Sequence, residues 1–150
     1  MVAREMKLSY IDTGITLPVK GQVKSSADLY RILKSVFIMD EVGYREHFYA
    51  LYFSSSNTFL GYKHVSSGGI SGTVADIRII MQGAILANAT LIAICHNHPS
   101  GNLTPSVSDI ELTQGLNHAC KLMDMKLIDH LIISATGFYS FSDDGRIRKE

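Results

Sequence analysis

The sequence predicts an α/β fold, in which helices pack on a mixed β-sheet. Residues 90–95 form a short, continuous apolar run that indicates a central strand buried on both faces. A helical pattern over residues 107–123 follows it, and a further strand covers residues 127–134 before a short hairpin through Gly137. Strand, helix, strand in that order implies a right-handed crossover between two parallel strands.

The elements before this unit follow from capping and apolar spacing. Residues 1–24 are interpreted as an extended lead-in, because proline and glycine punctuate them, and residues 25–150 as the domain. Ser25 with Asp28 matches a capping box and predicts a helix start. The apolar residues that repeat at helical spacing behind it are Leu29, Ile32, Leu33, Val36 and Phe37.

A hairpin and a second helix are predicted next. Residues 47–53 are aromatic and aliphatic, as in a buried strand, and residues 58–65 form the second arm. The glycine-rich stretch 66–73 lacks the spacing of a P-loop or a dinucleotide site, which favours a flexible connector. Thr73 and Asp76 then predict the cap of a helix with one apolar stripe.

Composition excludes several classes of protein. The 150 residues suit one domain, and 14 basic residues balance 14 acidic ones, which argues against a free-standing electrostatic binder of DNA. The longest apolar stretch, residues 84–95, is too short to span a membrane, and the N-terminus does not match a signal peptide. Cys95 and Cys120 lie in apolar stretches. We therefore expect a cytoplasmic protein without a disulfide framework or membrane partner.

The segment HNHPSGNLTPSVSD, from His96 to Asp109, carries the candidate chemistry. It lies where the central strand ends, and ligands of open α/β sheets bind at such ends. Side chains two apart on an extended backbone point the same way, so His96 and His98 face one side. Asp109, in the first turn of the next helix, can return beside them. Two imidazoles and one carboxylate make a three-ligand site of the catalytic zinc type.

Each part of this segment also has a structural interpretation. Ser106 with Asp109 is another capping-box pattern, a lone His-x-His pair is common, and residues 99–101 are ordinary turn residues. The combination at a strand end favours a metal site, whereas composition and spacing alone leave both interpretations open.

The spacing His-x-His, seven residues, Ser, two residues, Asp resembles the JAMM motif of the JAB/MPN metalloprotease superfamily. His96, His98, Ser106 and Asp109 match its positions. The longer string HNHPSGNLTPSVSDIELT, with LIDHLII further along, is similar to the RadC-like branch, historically labelled a DNA repair protein. The resemblance spans roughly residues 25–145. It implies the three-layer JAB/MPN (cytidine deaminase-like) architecture.

The resemblance also implies an activity and its residues. His96, His98 and Asp109 would bind Zn²⁺, and Ser106 would help to stabilise the tetrahedral intermediate. The reaction would be hydrolysis of an amide or isopeptide bond by a metal-activated water. The expected partner is therefore a peptide or isopeptide substrate whose identity the sequence does not specify, and the oligomeric state is likewise not indicated.

The superfamily has a glutamate at the start of an earlier strand, which hydrogen-bonds the water. Glu46 matches that place, so the resemblance implies that Glu46 is the general base. Glu41 and Glu111 are its rivals from sequence alone. Glu41 lies before the strand in a polar stretch, and Glu111 follows Asp109 by two residues, on a different face of the helix.

Other functions are weighed against hydrolysis. A zinc deaminase needs His-x-Glu and Pro-Cys-x-x-Cys, which the sequence lacks. A DNA-associated or DNA-repair-linked protein, and a metal-dependent nuclease using the same site, stay open. RadC-like proteins commonly carry an N-terminal helix-hairpin-helix region, for which we expect no room in this chain. Zero net charge does not support a nucleic-acid partner.

The remaining histidines have ordinary interpretations. His47 and His64 lie on predicted strands and His118 on a predicted helix, as surface or core residues. His130 follows Asp129 in an apolar strand, which favours a hydrogen-bonded structural pair. Support of the metal site from behind the ligands is the alternative for His130.

Overall fold

The computed structural model describes residues 9–19, 21–68 and 74–147. Within these ranges the chain forms three α-helices and five β-strands, and the predicted α/β class is confirmed. The elements are α1 (Ser26–Val36), β1 (His47–Phe53), β2 (Phe59–Ser67), α2 (Ile77–Leu86), β3 (Leu91–Asn97), α3 (Val107–Leu122), β4 (Lys126–Ile133) and β5 (Phe138–Ser140), with a short 3-10 turn at Met39–Glu41.

The five strands form one mixed sheet in the order β2-β1-β3-β4-β5. Strands β3 and β4 are parallel to each other, and every other pair of neighbouring strands is antiparallel. Helix α3 makes the crossover between the two parallel strands, as the element order predicts. The carboxyl ends of β3 and β4 therefore meet at one edge of the sheet.

Alternation along the strands divides the core into two halves. Phe48, Ala50 and Tyr52 of β1 pack with buried residues of α2 and α3 on one face. Tyr49 and Leu51 point the other way and pack with α1. The result is three layers, helix on sheet on helices, and the position of a residue along its strand decides which layer it meets.

Local capping explains where the helices begin. The Ser25 side chain accepts a hydrogen bond from Asp28 N–H, and the Asp76 side chain accepts one from Arg78 N–H. Asp76 is thus the N-cap of α2, while Thr73, its predicted companion, lies outside the described residues. In the described part of the chain, no helix combines the length and apolarity needed to cross a bilayer.

Strand β3 extends two residues beyond its predicted end. The apolar run predicts an end at residue 95, but His96 pairs with Phe48 of β1 and with Ile132 of β4, and Asn97 pairs with Ile133. Pairing with both neighbouring strands keeps His96 in the strand, and pairing with β4 keeps Asn97 there. The first candidate ligand therefore starts from a rigid, buried backbone rather than from the loop.

Asp129 is a buried carboxyl on the α1 side of β4. It is 2% exposed and accepts hydrogen bonds from the Ser140 hydroxyl at 2.7 Å and from Ser142 N–H at 3.0 Å. Burial is the dominant cause that raises the pKa of Asp129 to about 6, although these hydrogen bonds act in the opposite direction.

Replacing Asp129 by asparagine is expected to remove a pH dependence of stability. The native pKa of about 6 exceeds the ordinary 3.8, so the native state binds the proton more tightly. Protonation of Asp129 therefore contributes at most about 3 kcal/mol to the free energy of unfolding. This contribution is fully present below the ordinary pKa and is lost as the pH rises through 6. Denaturant unfolding from pH 4 to pH 8 should show the stability of wild type falling relative to Asp129→Asn. The exposed Asp12→Asn variant should show the same pH dependence of stability as wild type. A difference in stability between wild type and Asp129→Asn that does not change with pH would contradict the prediction.

Candidate metal centre

Three side chains of metal-ligand type meet at the carboxyl end of β3. His96 Nε2 lies 3.0 Å from His98 Nε2 and 3.1 Å from Asp109 Oδ1, and His98 Nε2 lies 3.4 Å from Asp109 Oδ2. One ligand atom from each residue lies within 4.8 Å of the other two. The structure thus brings together the three side chains that the sequence predicts as ligands, and a metal could bind there.

The same carboxylate closes the N-terminus of α3. Asp109 accepts a hydrogen bond from Ser106 N–H at 2.7 Å, and the Ser106 hydroxyl oxygen accepts one from Asp109 N–H at 3.1 Å. Both halves of the capping box are therefore formed. The structural and the metal-ligand interpretations of this motif are compatible, because the cap fixes the carboxylate beside the two imidazoles.

Ser106 lies at the exposed rim of the centre. Its oxygen accepts the capping bond, so the hydroxyl hydrogen is not used in the cap. A hydroxyl needs no rearrangement to accept one bond while donating another. The position is compatible with the predicted role of Ser106 as a donor toward substrate.

The electrostatics of the centre suit a cation. Burial acts against ionisation of Asp109, but hydrogen bonds from His96 and His98 hold the pKa of that carboxyl well below its ordinary range. The bond to Asp109 is also the main cause that raises the pKa of His98. A proton between these groups relieves the approach of their lone pairs, and a metal ion bound there would displace that proton.

The ring nitrogens that face away from the centre are also engaged. His98 Nδ1 lies 2.7 Å from the Asn102 carbonyl oxygen, which can only accept, so the Nδ1 of His98 carries the hydrogen. His98 Nε2 is then the ligand atom. His96 Nδ1 faces His130 Nε2 at 2.9 Å. Metal-binding histidines typically donate their second N–H in this way, so the residues present fit a metal ion.

Glu46 immediately precedes β1, beside the centre. It lies two residues before Phe48, the residue of β1 that pairs with His96. Glu46 is partly buried, and its charge is one of the influences that raise the pKa of His98. The glutamate that the sequence favours as base is therefore within electrostatic reach of a candidate ligand.

The two rival glutamates lie elsewhere. Glu41 accepts from Arg45 Nε at 2.5 Å and lies 2.8 Å from Nε2 of the buried His47. His47 alternates with Phe48 and so belongs to the α1 side of the sheet. Glu111 is exposed on α3. Neither of them is among the groups that shift the pKa of His98, whereas Glu46 is one of those groups.

Asn97, between the two histidine ligands, is a residue whose role the sequence did not reveal. It is fully buried, and its Oδ1 accepts from His47 N–H at 2.8 Å. Its Nδ2 donates to the carbonyl oxygens of Val42 at 2.7 Å and Arg45 at 2.9 Å. These bonds join Asn97 to backbone groups on both sides of Glu46 and hold that segment against β3, the strand that carries His96. A polar residue at the end of a buried strand was the signal available.

His130 is a second residue whose role needed the structure. Its ring is fully buried, 2.9 Å from His96 and 2.7 Å from the Thr113 hydroxyl. The predicted hydrogen bond between Asp129 and His130 is present, but it joins the Asp129 carboxylate to the backbone N–H of His130 and does not involve the imidazole. Successive strand residues point to opposite faces, so the two side chains lie on different sides of the sheet. Burial lowers the pKa of His130 well below its ordinary value, and the ring is neutral.

The other histidines have the ordinary roles expected of them. His47 Nδ1 and His64 Nε2 each lie 2.9 Å from the Ser67 hydroxyl, in a network on the α1 side of the sheet. His118 is exposed on α3. These three contribute no atom to the centre at His96, as far as the described residues show.

A groove elsewhere on the molecule is distinct from the centre. It has a volume of about 840 Å³ and lies between the start of α1, the end of α3 and the first half of β4. Its lining includes Lys24 and Asp129 but none of the three candidate ligands. Cavity volume alone would therefore have pointed away from the centre, whereas the chemistry of the side chains identifies it.

Comparison with known proteins gives the family. The model of the RadC-like JAB domain matches residues 23–146. A "UPF0758 protein" of Flavobacterium johnsoniae is 38% identical over 124 residues, which cover 83% of this chain and 53% of the relative. One of Porphyromonas gingivalis is 37% identical over 145 residues, covering 96% and 63% respectively. The "UPF0758 protein YfjY" of Escherichia coli is 38% identical over 101 residues, covering 67% and 63%.

These relatives are longer than the chain, which spans 53% to 63% of their lengths. Their names state no activity. The match nevertheless covers both the candidate ligands and Glu46, and the mixed sheet with its three helices agrees with the fold expected of such a domain. The chain belongs to the RadC-like JAB domain family.

Proposed function

We propose that the chain is a zinc-dependent hydrolase of amide or isopeptide bonds. The observation that carries the proposal is the convergence of His96, His98 and Asp109, with the charge of Glu46 acting on His98. Three protein ligands leave a coordination position open, which distinguishes catalytic from structural zinc sites. The JAB superfamily includes hydrolases, which supports this class of reaction.

The donor set supports Zn²⁺ as the metal. Two imidazole nitrogens and one carboxylate oxygen suit Zn²⁺ or a similar borderline ion. When bound, the ion supplies a Lewis acid that lowers the pKa of water to about 7 and polarises the scissile carbonyl. Asp109 provides the negative charge, and the orienting bonds behind His96 and His98 hold their Nε2 atoms toward one point.

The protein's own groups complete the reaction. Glu46 accepts a proton from the attacking water as the water oxygen bonds to the carbonyl carbon. The same carboxyl then gives that proton to the leaving nitrogen as the carbon–nitrogen bond breaks, so the products are a carboxylic acid and an amine. The Ser106 hydroxyl donates to the carbonyl oxygen while that oxygen carries negative charge.

Compartment and partner are part of the proposal. Cys95 and Cys120 are both free and buried, which supports a reducing compartment, and we place the protein in the cytoplasm. The partner is a peptide or isopeptide substrate. A nuclease using the same centre is the competing function, and the balance of 14 basic and 14 acidic residues gives it no support.

Zinc binding tests the centre. Chelator-treated protein is titrated with Zn²⁺ by calorimetry, alongside the double variant His96→Ala/His98→Ala and the control His118→Ala, which alters an exposed histidine of α3. Native protein and control are expected to bind about one zinc per chain, and the double variant none. Equal and negligible zinc binding by all three proteins would refute the proposed metal site.

Substrate class is tested separately on the zinc-loaded protein. Isopeptide-linked peptides, linear peptides, single-stranded DNA and duplex DNA are incubated with and without a chelator. Cleavage of a peptide substrate that the chelator abolishes is the expected result. Chelator-sensitive cleavage of DNA without cleavage of any peptide would replace the proposed function with the nuclease.

A further inference from the structure

On the basis of the proposed metal site, we infer that His130 is a positioning residue. Together with Thr113, it sets which nitrogen of His96 carries the hydrogen, and so presents the other nitrogen to the metal. The observation is a chain of three hydrogen bonds that runs from the backbone of α3 to the back of the His96 ring.

The direction of the chain is fixed at its helix end. The carbonyl oxygen of Asp109 can only accept, and the Thr113 hydroxyl donates to it at 2.5 Å. Since this uses the only hydrogen of that hydroxyl, its oxygen must accept from His130 Nδ1, 2.7 Å away. The hydrogen of the neutral His130 ring is therefore on Nδ1, and His130 Nε2 holds a lone pair.

The same logic passes to the candidate ligand. His130 Nε2 lies 2.9 Å from His96 Nδ1, so His96 donates its Nδ1 hydrogen there. His96 therefore keeps its hydrogen on Nδ1, and its Nε2, which shares a proton with His98 and Asp109 in the metal-free centre, is the atom left for a metal. This is the tautomer that free histidine disfavours in water, so the protein has to impose it.

Packing holds both rings in the planes that this chain requires. His130 stacks on Phe141, with ring centroids 4.6 Å apart and planes 11° apart. His96 lies nearly parallel to Phe48, with centroids 5.8 Å apart and planes 7° apart. The two histidines are on neighbouring parallel strands and face the same side of the sheet. The aromatic neighbours therefore favour the ring planes in which the two histidines face each other.

Thr113→Val provides the sharpest variant, because valine keeps the shape of threonine and removes the hydroxyl. Without that acceptor, the His130 hydrogen is free to move to Nε2 and to donate to His96 Nδ1. His96 would then carry its hydrogen on Nε2, the atom proposed to bind zinc. Thr113→Ser keeps the hydroxyl and is the matched control.

The first measurement needs no metal. Long-range ¹⁵N–¹H NMR spectra of the metal-free protein at mildly alkaline pH report the tautomer of each histidine. Wild type and Thr113→Ser are expected to show His96 with its hydrogen on Nδ1, and Thr113→Val to shift it toward Nε2. An Nε2–H tautomer of His96 in wild type, or an unchanged tautomer in a folded Thr113→Val, would overturn the inference.

The second measurement is zinc affinity, by competition with a chromophoric chelator. Thr113→Val and His130→Leu are expected to bind zinc about 10–100-fold more weakly than wild type, a loss typical of groups that orient a ligand. His130→Gln, whose side-chain oxygen can still accept from His96, should recover most of the affinity. Equal affinities in all folded variants would refute the positioning role. If wild type bound no zinc, the proposed function would fail, while the NMR result would still decide the inference.

Discussion

Glu46→Gln is expected to lower kcat by about 10²–10⁴-fold while the zinc content stays at the wild-type level. Glutamine keeps the size of the side chain and its ability to hydrogen-bond, but it cannot accept a proton at neutral pH. The ligand set is untouched, because Glu46 is not one of the three residues whose donor atoms converge. Steady-state kinetics on the peptide substrate, with metal analysis of the same preparation, measures both quantities.

The rival glutamates serve as matched controls for this prediction. Glu41→Gln breaks contacts with Arg45 and His47 on the α1 side, and Glu111→Gln changes an exposed residue of α3. Both variants should retain kcat within a few-fold of wild type. If Glu41→Gln or Glu111→Gln lost activity while Glu46→Gln kept it, the assignment of the base would be wrong.

Asn97→Ala is expected to lower the free energy of unfolding by about 3 kcal/mol. The asparagine side chain is fully buried and makes three hydrogen bonds to backbone groups, which alanine leaves without partners. At about 2–4 °C per kcal/mol for a chain of this size, the melting temperature should fall by about 10 °C. Thermal and denaturant unfolding of the metal-free protein measure the effect without any contribution from zinc binding.

The same variant should also impair catalysis beyond its effect on stability. The three bonds from Asn97 hold the backbone that carries Glu46, so their loss displaces the base relative to the ligands. Asn97→Asp keeps the acceptor toward His47 but places a carboxylate against two carbonyl oxygens, and it should fail in the same way. The exposed Asn102→Ala should change stability by less than about 1 kcal/mol. Wild-type stability of Asn97→Ala would show that the three hydrogen bonds of the Asn97 side chain are unimportant for stability.

The local sequence was sufficient for much of the fold. The aromatic and aliphatic run that predicts the first strand has the same bounds as β1, which begins at His47 and ends at Phe53. Ser25 caps α1 as its spacing predicts, and the strand–helix–strand order yields the parallel pair. These features depend on hydrogen bonds and side-chain periods within a few residues, so they can be recognised in one sequence.

The ligand pattern was recognisable for a related reason. His96 and His98 are separated by one residue, and the capping box of Ser106 and Asp109 spans three. The motif therefore lies on one strand end and one helix start, joined by a loop. This spacing allows the three side chains to meet but leaves the structural interpretation of each part open, and the resemblance to the JAMM motif is what favoured them as ligands.

The roles of His130 and Asn97 required the tertiary structure, whereas Glu46 was chosen from the resemblance of its position to that of the superfamily's glutamate. His96 contacts His130 across 34 residues of sequence, and Asn97 reaches Val42 across 55. Such contacts depend on which strands become neighbours and on their register. Alternation along a strand predicts on which face of the sheet a side chain lies, but it does not predict which distant residue that side chain will contact. Only the folded sheet decides that, because its strand order and register are set by the burial of the whole core.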